Sequence, residues 1–224
     1  MDDDELRRLL EEQTAYYRAR AGTYDLDMAW DSDDPELRAL FAPVEAWFAA
    51  LAVAGEVLEL ACGTGAWTRR LASRAEHVHA VDVAPEMIAH ARRRVGPELA
   101  VTFEVADLFG LEPGRTYDLV FSSFLLTHVP PARSARFWDV VARSVAPGGL
   151  VAFVDAAPDR HDEEEWLAEG VVRRTLRDGS EHRIVKVFPT AAELEATMAE
   201  HGLAGEVTEV AGRFLVGTAR PARR

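Results

Sequence analysis

The 224-residue chain is short of several things, and each shortage narrows what it can be. It has one cysteine, Cys62, so no disulfide can form within the chain; the residue reads as a small side chain packed into a glycine turn rather than as a nucleophile. It has no apolar run of membrane-spanning length, and its acidic first residues carry the wrong charge for an export signal. Together these predict a cytoplasmic protein with no membrane partner. Basic residues are scarce: 25 Lys and Arg face 38 Asp and Glu, a net charge of −13. That balance opposes nucleic acid as a partner, because such binding rests on neutralising phosphates. No His or Cys cluster accompanies the acidic run from His161 to Glu165, so that run reads as solvated surface and no metal is expected.

What is present is a hydrophobic share of 48%, which suits one globular core and a single domain over 1–224. The chain is organised around Val57-Leu58-Glu59-Leu60-Ala61-Cys62-Gly63-Thr64-Gly65. Val57 to Leu60 reads as a buried parallel strand, followed by a glycine turn and a helix over 66–75. Strand, glycine turn and helix open the nucleotide-binding half of a doubly wound sheet. Gly63 and Gly65 lack a Cβ and would let the backbone approach a ligand closely. A dinucleotide fingerprint asks for a third glycine where Thr68 stands, so a ligand without a pyrophosphate fits better.

Further strands are expected at 77–83, 101–105 and 117–124, ending near Asp82, Asp107 and Ser123. The run from Tyr117 to Phe124 is nearly all apolar, as for a strand buried on both faces. A fifth strand is expected from Leu150, after a Pro147-Gly148-Gly149 turn that stops a helix over 131–146. Asp4 to Arg18 has the spacing of an amphipathic helix. Asp33-Asp34-Pro35 reads as a helix start, and Pro43 is expected to break the following apolar face into two pieces. Two β-branched runs, 171–177 and 182–188, flank Asp178-Gly179 and predict a hairpin. Thr190-Ala191-Ala192-Glu193 is a capping box, and strands over 206–210 and 213–218 close the chain.

Glu59-x-Ala61-x-Gly63-x-Gly65, with Asp82 and Asp107 at successive strand ends, resembles the class I S-adenosylmethionine (SAM)-dependent methyltransferases. Ala61 departs from the family's usual first glycine. The resemblance covers nearly the whole chain and implies an α/β fold: a Rossmann-like, seven-stranded, mostly parallel sheet with a C-terminal antiparallel strand and an N-terminal helical lid. It divides the domain into the lid (1–54), a SAM-binding core (55–157), a substrate-side insertion and hairpin (158–188), and a C-terminal helix and strand pair (189–224). It implies SAM as cofactor, S-adenosylhomocysteine (SAH) as product, and a small-molecule acceptor; self-association into a homo-oligomer stays open. Cofactor contacts are expected from Tyr17, Arg20, Tyr24, Glu59, Gly63, Gly65, Asp82, Val83, Met87, Asp107, Leu108 and Ser123. By the same match Arg20 would meet the methionine carboxylate, Asp82 the ribose and Asp107 the adenine amino group. His128 is the candidate general base, the alternative being a purely structural His-Val-Pro loop.

Arg173 to Phe188, Trp67-Thr68-Arg69 and Ala146 to Gly149 resemble the phosphonate O-methyltransferases of dehydrophos biosynthesis. This implies O-methylation of an anionic metabolite such as a phosphonate or carboxylate. Small-molecule N-methylation, with the 162–165 acids lining the pocket, and non-catalytic SAM binding are the alternatives. Acceptor contacts are expected from Tyr24, His128, Arg174 and Lys186. A three-residue hairpin turn at 178–180 would put Arg174 on one face with Lys186, whereas a two-residue turn would put Arg173 there. An inward cation pair lacking a protein acid asks for a ligand anion; the alternative is pairing with the 162–165 run.

Overall fold

The computed structural model describes residues 1–27 and 34–222; of the expected helix start Asp33-Asp34-Pro35, Asp33 lies outside them, while Asp34 caps the helix that follows by accepting from the Glu36 amide at 2.9 Å. Parallel strands β1 (Glu56–Leu60), β2 (His77–Asp82), β3 (Val101–Val105), β4 (Tyr117–Ser123) and β5 (Val145–Ala156) alternate with helices α4 (Ala66–Ala72), α5 (Pro85–Val95) and α6 (Pro131–Ser144). After helix α7 (Ala191–Glu200) come β9 (Leu203–Val210) and β10 (Phe214–Pro221). The seven-stranded sheet has the order β3-β2-β1-β4-β5-β10-β9, with β10 antiparallel to both neighbours. The order reverses between β1 and β4, and the C-terminal ends there form the crevice in which such sheets bind ligands.

Strand alternation divides the core between two faces. Leu58, Leu60, Val120 and Phe153 pack against Phe137, Trp138, Leu194 and Met198 of α6 and α7. Val57, Leu119 and Phe121 pack against Trp67, Leu71 and Ile88, together with Val44 and Phe48 of α3 (Pro35–Ala50). Pro43 does not break α3. It lies on the exposed side with Ala39, whose carbonyl loses its amide partner to proline but stays in water, while buried Val44 and Phe48 anchor the following turn. Strand β5 starts at Val145 rather than Leu150. Val145 already pairs with Tyr117, and Pro147 to Gly149 form an irregularity within the strand instead of a turn before it.

The predicted hairpin is β7 (Val171–Thr175) and β8 (Glu181–Val185), joined on its far side by a short β6 (Trp166–Ala168) into a second, three-stranded sheet. Helix α1 (Asp3–Arg20) lies across β8. Glu12 accepts from the Arg183 backbone amide at 2.6 Å and Gln13 from that of Val185 at 2.8 Å. Arg18 forks onto Glu86 of α5, and the one-turn helix α2 (Tyr24–Asp27) follows. The segment over 1–27 is thereby laid across the C-terminal ends of the large sheet. No described helix is long and apolar enough to cross a membrane.

Candidate active site

Two cavities open at those strand ends. The larger, about 710 Å3, is lined by Gly63, Asp82, Val83, Met87, Asp107, Leu108 and Ser123. The smaller, about 360 Å3, lies toward the second sheet and is lined by Arg20, Arg160, Glu164, Arg174, Lys186 and Arg213, among others. Tyr17, Tyr24, Phe124 and His128 line both and form their shared wall.

In the larger cavity the glycine turn and Asp82 make one unit. Asp82 accepts from the backbone amides of Gly63 (2.8 Å) and Ala84 (2.9 Å). Burial pushes its carboxyl up, and these amide bonds work against the shift. A Cβ built on Gly63 would meet nothing within 4 Å, so this glycine faces open space. Gly65 behaves differently. It lines neither cavity, and a Cβ there would sit 2.9 Å from Cα and Cβ of Ala91. Its bareness lets α4 and α5 approach, which corrects the expectation of a ligand contact at Gly65. Glu59 also lines neither cavity. It alternates with inward Leu58 and Leu60, so it points under the turn toward α4, 1% exposed, with neither oxygen hydrogen-bonded. Burial pushes its carboxyl up to about 8, and nearby Thr68 offsets only part of that. The strand backbone strains where it meets the cavity: Ala61 and Phe124, at the ends of β1 and β4, adopt φ of 56° and 51°.

The shared wall is held from both sides. Thr64 of the glycine turn donates to Asp25 at 2.6 Å, and Arg94 meets the other Asp25 oxygen at 3.0 Å, which fixes the residue after Tyr24. His128 Nδ1 donates to the Val185 carbonyl at 2.9 Å, leaving Nε2 to accept from the Tyr17 hydroxyl at 3.0 Å. Burial, then the Lys186 charge, holds His128 well below the ordinary imidazole range, so it is neutral. Burial lifts the Tyr24 hydroxyl to about 12.

In the smaller cavity the hairpin sets the charges. Leu176 and Ser180 flank a three-residue loop, and Arg174 stands opposite His182. The loop begins at Arg177 rather than Asp178, but the parity is that of a three-residue turn, so Arg174 and Lys186 share a face. That face is not without acids. Arg174 meets Glu164 at 2.5 Å, so the pairing with the 162–165 run holds for this residue. Lys186 donates to Thr127 at 3.1 Å and faces the buried Asp155; its own burial lowers its pKa to about 8. Arg160 and Arg213 share Glu163. Arg20 stacks over the Tyr24 ring, 4.9 Å from its centroid, and lines the smaller cavity instead of the larger.

A methyltransferase-domain family matches residues 57–149. The ubiquinone biosynthesis O-methyltransferase of Xanthomonas euvesicatoria pv. vesicatoria is 31% identical over 195 residues, 82% of this chain and 77% of that protein. The chain belongs to the SAM-dependent methyltransferases. Among solved structures, the DhpI complex with SAH is 43% identical with a TM-score of 0.82, covering 96% of this chain and 98% of that one. The DhpI complex with SAM and HEP is 41% identical with a TM-score of 0.83, covering 95% and 98%. The match to malonyl-[acyl-carrier protein] O-methyltransferase 2 of Ilyobacter polytropus is 25% identical and spans only 41% of that protein.

Of the methyltransferase residues read from sequence, the structure gathers Tyr17, Tyr24, Gly63, Asp82, Val83, Met87, Asp107, Leu108, Ser123 and His128 around the larger cavity. It gathers Arg20, Arg174 and Lys186 around the smaller one. Phe124, Arg160 and Arg213 were missed, and Glu164 entered only as a member of the 162–165 run. Arg213 follows the β9–β10 turn and Arg160 sits in a 3₁₀ turn over Pro158–Glu163, so neither carries a local motif. Only the position of Phe124, one residue past a buried strand, pointed to the site.

Proposed function

We propose that this methyltransferase O-methylates a small anionic acceptor, a phosphonate or a carboxylate. The observation that carries the reading is the smaller cavity: five cations and one acid line 360 Å3 in a chain of net charge −13, across a shared wall from the larger cavity. The 41% identical DhpI complex, solved with SAM and HEP, supports it. Of the 162–165 acids only Glu164 lines the cavity, and Arg174 engages it, which leaves little to favour an amine acceptor.

We assign the larger cavity to SAM on its fit: an open cradle at Gly63, a carboxylate at Asp82 for a ribose, and Asp107 with Leu108 for an adenine. SAM supplies an electrophilic methyl on a sulfonium. The chain then has two tasks, alignment and exclusion of water. Tyr17 and Tyr24, carried by the lid, close the wall from above, and Phe124 and His128 close it from the sheet side. Arg174 and Lys186 would hold the acceptor's anion and steady its ionised oxygen. With the oxygen already ionised, no proton has to leave, and neutral His128 serves to orient the Tyr17 hydroxyl.

The test is product analysis with SAM and a panel of small phosphonates, carboxylates, phenols and amines. Methyl esters of one anionic class are expected. Turnover confined to amines, or to neutral hydroxyls, sinks the reading.

A further inference from the structure

We propose that Glu164 is an internal stand-in for the acceptor's anionic group, occupying Arg174 until the acceptor takes its place. This rests on the anionic-acceptor reading above. Among the described residues lining the smaller cavity, Glu164 is the one acid, and it meets Arg174 at 2.5 Å with its side chain only 8% exposed.

The two acids beside these cations are held differently. Asp155 is fixed: its oxygens accept from the backbone amides of Leu126 at 2.6 Å and Ala156 at 2.8 Å, so it remains a permanent counter-charge for Lys186. Glu164 is carried by a segment between a 3₁₀ turn and β6, and its carboxylate is held by the Arg174 guanidinium. Of the adjoining acids, Glu163 pairs with Arg160 and Arg213, while Asp162 and Glu165 have side chains 100% and 63% exposed, so water borders the segment that carries Glu164. In the proposed exchange Glu164 turns out toward that water.

Exchange of one anion for another suits Arg174. A half-buried guanidinium left without a partner would be strongly unfavourable, and in this arrangement it has one in both the empty and the loaded state. The exchange also selects. A neutral acceptor has nothing with which to displace a carboxylate, whereas an oxyanion of higher charge density displaces it best. Glu164 would thus exclude neutral hydroxyl compounds that fit by size alone.

The experiment is calorimetric titration of methylphosphonate into the SAH complex of the parent protein, Glu164→Gln, Glu164→Ala and Arg174→Ala, with thermal unfolding of each. Both Glu164 variants are expected to bind about tenfold more tightly, the loss of roughly one charged competitor, and Arg174→Ala more weakly than the parent. Tighter binding by the Glu164 variants, even from a parent that binds undetectably, supports the exchange. Parent-like or weaker binding by folded Glu164 variants overturns it while leaving the anionic-acceptor reading intact. Absence of binding in the parent and in both Glu164 variants overturns the exchange and removes phosphonates from the anionic-acceptor reading. If one Glu164 variant fails to fold, the other decides.

Discussion

Asp82 uses one carboxylate for two purposes. It clamps the Gly63 and Ala84 amides and still borders the larger cavity, where the remaining lone pairs can receive a ribose. Asp82→Ala should weaken SAM binding by roughly 1.5–3 kcal/mol, the range for hydrogen bonds to a charged group; unchanged affinity by calorimetry would remove Asp82 from the site. His128 makes the opposite kind of contribution. It is neutral, with both ring nitrogens engaged, so His128→Ala should lower turnover of an ionised acceptor by less than about tenfold, against the 10²–10⁴ expected for an essential base. Lys186 governs the alkaline side. Its proton is lost near pH 8, so KM for the anionic acceptor should climb as pH rises through that value while the Kd for SAM stays flat. The sign for stability is distinct. The folded pKa lies below the unfolded one, so between about 8 and 10.5 the unfolded chain holds the extra proton and this group's contribution to stability rises with pH.

The glycine turn shows how two glycines of one motif serve different ends. Gly63→Ala places a methyl in open space, so it should weaken SAM binding at a stability cost of only about 1–2 kcal/mol, that of a side chain at a φ of +54°. Gly65→Val drives a side chain into Ala91 at a φ of +83° and should lower stability by about 2–4 kcal/mol before any ligand is added. Thermal unfolding and calorimetry on the same pair check both. Spacing in the sequence offered Gly63 and Gly65 as equivalents; only the position of α5 separates them. Other elements divide the same way. The capping box at Thr190 and Glu193 is local chemistry and stands as read. The continuity of α3 through Pro43 depends on which side meets water, and β6 exists because β7 offers it a partner. Such features are decided by tertiary neighbours, which a local pattern does not contain.

At the scale of the whole molecule, charge is partitioned. An acidic chain concentrates cations around one small cavity, so raising salt should weaken anionic acceptors more than SAM. The strands of the sheet were legible because β2 and β4 are buried runs ending at Asp82 and Ser123 and the edge strand β3 is a short β-branched run before Asp107, while their arrangement in one sheet came from the family resemblance. The acceptor side was legible only in part. Arg174 and Lys186 lie on one hairpin, while Arg160 and Glu164 come from one 3₁₀ turn and its cap, and Arg213 from the β9–β10 turn. The docking of α1 on β8 carries one more consequence. In the order β6-β7-β8 the outer side of β8 has no strand beside it among the described residues, and its Arg183 and Val185 amides end on Glu12 and Gln13. The lid is therefore also a sheath over a naked strand edge, the kind of surface that recruits another chain. Removing residues 1–20 should do more than open the cofactor cavity: the shortened protein should self-associate with rising concentration. Light scattering that finds it as monodisperse as the parent would show that the edge is protected by something other than the helix.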